Sequence, residues 1–193
     1  MRVLFVAALA EESEALEKAG ATVLHVGVGK VQAATMLAHH LVSHAPEIDL
    51  VVNVGTAGGL GRQILGEVHE VASVHQHDFD HRGLSRFVGR PLPGGPIQLP
   101  GPSDAVARLA TGDRLVLDDA ERDRLARDAD LVDMEGYAVA ATCRQFGMPV
   151  WLAKAVSDNA DGDAAMTFHQ MLELCSVRLA SWARQRGLLD PSR

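Results

Sequence analysis

Cysteine is scarce in this chain, with Cys143 and Cys175 the two examples among 193 residues, and both fall inside apolar helical patterns. A disulfide framework and a four-cysteine zinc site are thereby excluded, and a reducing cytoplasm fits. A surplus of positive charge is also missing. Eighteen Lys and Arg face 25 Asp and Glu, for a formal net charge of -7. That balance repels a phosphate backbone, and no Lys/Arg stripe with interleaved aromatics occurs, so nucleic acid is not an expected partner. Long apolar runs are absent too. The run from Val3 to Leu9 is cut by Glu11, Glu12 and Glu14. It is too short to span a bilayer and lacks a signal peptide's cleavage pattern, so no membrane association is expected. Neither an internal repeat nor a low-complexity tract is found.

With 47% apolar and 22% charged residues, the composition suits one soluble domain over residues 1–193. Short β-branched runs alternate with helical stretches. Strands are expected over Val3 to Ala8, Thr22 to Val28, Leu50 to Val54, Val68 to Val74, Arg114 to Leu117 and Val150 to Val156, the pattern of an α/β sheet. Apolar spacing of three and four predicts helices with one face at Val31, Ala34, Ala38, Leu41 and Val42, another at Ala138, Val139, Thr142, Cys143 and Phe146, and a last at Phe168, Met171, Leu172, Cys175, Leu179 and Trp182. The stretch from His75 to Pro102, crowded with Pro and Gly, reads as one long loop, a length that inside a domain is usually functional.

Ligands of open α/β sheets bind beyond the carboxyl ends of the strands. The polar residues there are Glu11 and Glu12, the cluster Gly55-Thr56-Ala57-Gly58-Gly59, Asp133-Met134-Glu135, and Ser157-Asp158. Glycine lets backbone N–H groups approach a ligand where a β-carbon would block it, though a tight strand-to-helix turn explains the same cluster. Val26-Gly27-Val28-Gly29-Lys30 is not a phosphate loop, because Leu24 stands at the position of its first glycine and Val31 follows the lysine. His75-Gln76-His77-Asp78-Phe79-Asp80-His81 is close to a metallo-hydrolase run, but Phe79 stands where the aspartate belongs. Neither metal nor cofactor is expected. Taken singly, each carboxylate also has an ordinary role at a helix N-terminus or in a turn.

Taken together and in order, Ala8 to Glu12, Gly27 to Lys30, Asn53 to Leu60, Thr111-Gly112-Asp113, Val132 to Glu135 and Val156 to Asp161 resemble the motifs of the methylthioadenosine/S-adenosylhomocysteine nucleosidases, within the purine and uridine phosphorylase superfamily. The resemblance implies a three-layer α/β/α sandwich, phosphorylase/hydrolase-like, with a shortened central mixed sheet. It implies a homodimer that hydrolyses the bond between N9 of a purine and C1′ of its ribose, with a small-molecule nucleoside as its substrate. Glu12 matches the base that activates water, and Asp158 the acid at purine N7, with Ser157 placing it. Glu135 matches the carboxylate on the ribose hydroxyls, with Met134 beside the sugar. Thr56 and Gly58 belong to the segment near the attacking water, Leu115 and Val116 to the purine-binding segment, and Phe168 to the aromatic that closes over the nucleoside.

Glycosidic cleavage builds positive charge on the ribose and negative charge on the departing base, which is why carboxylates at the sugar and an acid at the base serve it. Where phosphorylases place arginines, this chain has Glu11-Glu12 and Asn53, and a carboxylate repels phosphate while it can deprotonate water. Leu115 stands where an aromatic is common. Arg86 and Arg90, on the segment that resembles a loop crossing to the partner subunit, suit a carboxylate-bearing substituent. Futalosine hydrolysis is therefore an alternative, as are a phosphate-dependent phosphorylase and a non-catalytic nucleoside-binding module.

Overall fold

The computed structural model describes residues 1–61 and 63–189. In chain order the elements are β1 (Val3–Ala7), α1 (Ala10–Lys18), β2 (Val23–His25), α2 (Lys30–His44), β3 (Leu50–Gly59), β4 (Val68–Gln76), α3 (His81–Val88), β5 (Ile97–Gln98), β6 (Ala107–Thr111), α4 (Asp119–Leu125), β7 (Leu131–Asp133), α5 (Gly136–Phe146), β8 (Val150–Asp158) and α6 (Ala164–Gln185). The fold is mixed α/β. The sheet runs β2-β1-β3-β7-β6-β4-β5, and β8 pairs with both β3 and β4. Strands β3, β7, β6, β4 and β8 therefore close into a ring, a feature that an open-sheet reading of the sequence does not contain.

The apolar runs are continuous because their strands are covered on both faces. Side chains alternate across a strand, so Leu4 and Val6 of β1 face one core and Phe5 and Ala7 the other. The first core takes Leu37 and Leu41 from α2 and Val139 and Cys143 from α5. The second takes Leu16 from α1 and Cys175, Leu179 and Trp182 from α6. Both cysteines are free, and burial pushes their thiols up to about 12 for Cys143 and about 11 for Cys175, which makes them packing residues.

Several boundaries differ from the sequence expectation. The glycine cluster is no turn: β3 continues through it to Gly59, held between β7 and β8. Residues Arg114 to Leu117 form no strand. The paired strand lies just upstream, as β6, and after Gly112 the chain leaves the sheet. Val116 is buried there while Leu115 and Leu117 stay exposed, an alternation that comes from lining a cavity and not from strand pairing. The His75 to Pro102 stretch carries α3 and β5 inside it. In α2 the buried face is Ala33, Leu37 and Leu41, while Val31 and Val42 are each 74% exposed. The apolar residues of this helix extend further around it than the sheet covers.

Candidate active site

Four chain segments meet at one end of the sheet. Glu12 sits in the first turn of α1, just after β1, and its carboxylate reaches back to the N–H of Leu9 at 3.1 Å. Its other oxygen accepts from both the N–H and the hydroxyl of Thr56, at 2.7 and 2.6 Å. That approach requires Gly55, where a β-carbon would lie 3.1 Å from Glu12 Oε1. Gly58 makes room in the same way. It pairs with Asp158 across β3 and β8, and a β-carbon on it would lie 3.0 Å from Asp158 Oδ1.

Asp158 ends β8. Ser157 Oγ donates to its Oδ2 at 2.7 Å and the N–H of Ala160 to its Oδ1 at 2.8 Å. Glu135 follows β7 and stands at the N-cap of α5, where its Oε1 accepts from the N–H of Gly29 at 2.8 Å. Burial pushes the Glu135 carboxyl up, and the charge of Asp133 adds to it. Lys154 and the Gly29 N–H pull the other way, leaving it at about 7.

Glu12, Thr56, Gly58, Leu115, Met134, Glu135, Ser157, Asp158 and Phe168 line one cavity of about 210 Å³. An adjoining cavity of about 320 Å³ shares Gly58, Leu115, Met134, Asp158 and Phe168 and adds Val116, Arg114 and His169. The residues that the resemblance places at the nucleoside, from Glu12 to Phe168, thus lie together around the two, while Glu11 lines neither. No Lys or Arg lines the inner one among the described residues. Arg86 and Arg90 are elsewhere in this chain, in a shallow cleft beside α3.

Sequence reasoning missed a polar network beneath Glu135. Lys154, 1% exposed, reaches from β8 across the ring to Asp133 on β7 at 2.8 Å. Asp133 also accepts from Thr111 Oγ1 at 2.6 Å and the N–H of Gly136 at 2.8 Å. Burial alone would push Lys154 down, but the carboxylates of Asp133, Glu135 and Glu12 outweigh it and hold the ammonium above its ordinary value. The available signal is a lone lysine inside the apolar strand Val150 to Val156, since a charge buried on both faces needs a partner. Among the described residues, no group of three or more His, Cys, Asp or Glu is arranged to hold a metal ion.

This is a mixed α/β protein with three carboxylates converging on a cavity at the strand ends. The profile of the phosphorylase superfamily matches residues 15–185. The 5′-methylthioadenosine/S-adenosylhomocysteine nucleosidase of Anoxybacillus flavithermus (strain DSM 21510 / WK1) is 32% identical over 186 residues, covering 86% of this chain and 79% of that protein. The crystal structure of the nucleosidase of the same name from Neisseria meningitidis, in complex with methylthio-immucillin-A, matches with a TM-score of 0.78 at 26% identity, over 93% of this chain and 96% of that one. Futalosine hydrolase of Helicobacter pylori strain 26695 shares the fold, with a TM-score of 0.80 at 24% identity over 94% and 95% of the two chains. The chain belongs to the phosphorylase superfamily and, within it, to the 5′-methylthioadenosine/S-adenosylhomocysteine nucleosidase family.

Proposed function

We propose that this protein hydrolyses the N-glycosidic bond of a purine nucleoside of the 5′-methylthioadenosine/S-adenosylhomocysteine type, releasing the free base and the ribosyl moiety. The observation that carries this reading is the inner cavity, which gathers Glu12, Glu135 and Asp158 and has no Lys or Arg in its described lining to meet a phosphate. Glu12 takes a proton from water, whose oxygen bonds to C1′ as the bond from C1′ to N9 breaks. Asp158 gives a proton to N7, so the base leaves neutral. Glu135 holds the ribose hydroxyls, and Met134, Thr56 and Phe168 shape the walls. For Asp158 to carry its proton on Oδ2, the Ser157 hydroxyl must turn from donor to acceptor, which a rotating O–H can do.

The fold behind this site we read as the phosphorylase-type three-layer sandwich, here with a short sheet edge, since β2 has three residues. We also place the protein as a homodimer. Val31, Ala34 and Ala38 of α2 and Tyr137, Ala138, Ala141 and Phe146 of α5 line an open, largely apolar groove, and a second copy would cover the part of α2 that the sheet leaves bare. Sedimentation as a monomer at micromolar concentration would remove that part of the reading. The two buried free thiols fit the reducing cytoplasm, where we place the reaction.

The deciding assay incubates the protein with methylthioadenosine, S-adenosylhomocysteine, futalosine and inosine, with and without phosphate, and measures free base. Release without phosphate is expected. Strictly phosphate-dependent release would make the protein a phosphorylase, and no release from any of them would leave a binding module.

A further inference from the structure

The helix α2 begins without a capping side chain of its own, because its N-cap is Gly29. Its first N–H, that of Lys30, instead donates to Asp113 Oδ1 at 2.8 Å, a carboxylate supplied from 83 residues further along the chain. A carboxylate at that place satisfies an orphan donor and complements the helix dipole. Asp113 is fixed in turn. Its own N–H donates to Asp78 Oδ2 at 2.8 Å, and the Lys30 ammonium bonds Asp78 Oδ1 and also Gln76 Oε1 at 3.2 Å. Gly29, held next to this grip at φ +93°, points its N–H at Glu135. A β-carbon on Gly29 would lie 3.2 Å from Asp113 Oδ1, so the turn and the carboxylate fit closely.

We infer that Asp113, braced by Asp78, is a positioning residue for the reaction: it holds the Gly29 turn so that the Gly29 N–H stays on Glu135 and sets that carboxylate toward the sugar. The inference rests on the reading of Glu135 as the group that holds the ribose hydroxyls. Asp113 is not among the residues that line the inner cavity, so it acts through Gly29. Losing the Gly29 donor removes one of the two influences that keep the Glu135 carboxylate charged. The groups that face Glu135 from the other elements are Asp133 of β7, Lys154 of β8 and Glu12 of α1. With Lys154 the remaining opposing influence, the carboxyl takes up its proton at higher pH.

The test follows the Glu135 carboxyl by carbon NMR through a pH titration of the free protein, alongside kcat/KM for base release against pH. In Asp113→Ala the Glu135 titration should move up by about one pH unit, with the acid limb of kcat/KM moving with it and KM at pH 7 rising about fivefold while kcat changes less. Asp113→Asn keeps an oxygen for the Lys30 N–H and should restore both to near the wild-type curves. An unchanged titration in folded Asp113→Ala overturns the inference. If that variant does not fold, Asp78→Ala, which removes the acceptor of the Asp113 N–H, should give a smaller upward movement, and no movement there is equally fatal. A wild-type protein that releases no base would defeat the proposed function, whereas the titration of the free protein still decides the role of Asp113.

Discussion

The inner cavity around Glu12, Glu135 and Asp158 and the cleft between the end of β4 and α3 both collect ionisable side chains, and the cleft is the larger, about 620 Å³ against about 210 Å³. The cleft holds His75, His77, His81, Asp78, Asp80, Arg82, Arg124 and Asp128. Part of that set is occupied with local work. Asp80 caps α3 through the N–H of Gly83 at 2.8 Å and Arg124 pairs with Glu121 at 2.6 Å, each partner three residues away, while Asp78 is turned out of the cleft toward Lys30 and the N–H of Asp113. Burial holds His75 and His77 below the ordinary imidazole range, and His77 Nε2 has no partner among the described residues. In the cavity, by contrast, donors from distant segments orient Glu12 and Glu135, and glycines make room for Glu12 and Asp158. A site is told by how its charges are held, since the number of charges alone would choose the cleft.

The largest effect expected from this contrast is catalytic. Asp158→Asn and Glu12→Gln should each lower kcat by about a thousandfold while nucleoside still binds, measured as base release under saturating substrate with binding followed by calorimetry. His77→Ala and His75→Ala, in the cleft, should stay within about threefold of wild type, since neither group has a proton to move in the reaction. A histidine variant that fell as far as the carboxylate variants would break the comparison.

Next in size is the stability of the ion pair under the site. Lys154→Met leaves Asp133 buried beside Glu135 without its cation and should cost about 3 kcal/mol in urea unfolding. Adding Asp133→Asn should recover much of that loss, because the uncompensated charge goes with it. The half-exposed pair of Arg108 and Asp130, at 2.8 Å, has the same separation in water, and Arg108→Met should cost no more than about 1 kcal/mol. Equal costs at the two places would mean that burial does not distinguish them.

What the sequence makes legible follows the same division. Glu12 and Asp158 stand just past apolar runs, so those two strand ends can be placed without coordinates, whereas Glu135 is placed only as preceding a helix, and the helix stripes of α5 and α6 are readable from spacing. The ring closure is not, because β8 pairs with β4 through Val68, His69 and Glu70, and nothing in those residues announces a second partner for a strand already paired with β3. Strand β7 is three residues long and reads as a preface to α5. The face of α2 is misplaced by periodicity because Val31 and Val42 are as apolar as Leu37 and Leu41, and only the sheet's position tells them apart. Lys154 is hidden inside an apolar run, and its partner is set by which strands face one another across the ring.

The smallest expected effect turns the contrast into opposite pH dependences. Burial raises Glu135 from 4.5 to about 7, so the folded protein holds this proton more tightly than the unfolded chain does. Stability from this group is therefore full below about pH 4.5 and is lost as pH rises through about 7. Glutamine at this position carries no charge at any pH and can still accept from the Gly29 N–H. Glu135→Gln should thus match wild type near pH 4.5, then gain on it as the pH rises, and be more stable by about 3 kcal/mol at pH 8. His75 and His77, in the cleft, work in the other direction. With His77 held below 6.5 by burial, the unfolded chain binds the proton more readily, and stability from that group is present above 6.5 and lost as pH falls through its lowered folded value. His77→Phe should accordingly change the acid side of the stability curve and leave the alkaline side to Glu135. A Glu135→Gln difference that stayed constant from about pH 4.5 to 8, read by urea unfolding at each pH, would show that the carboxyl is no more burdened by burial than one on the surface.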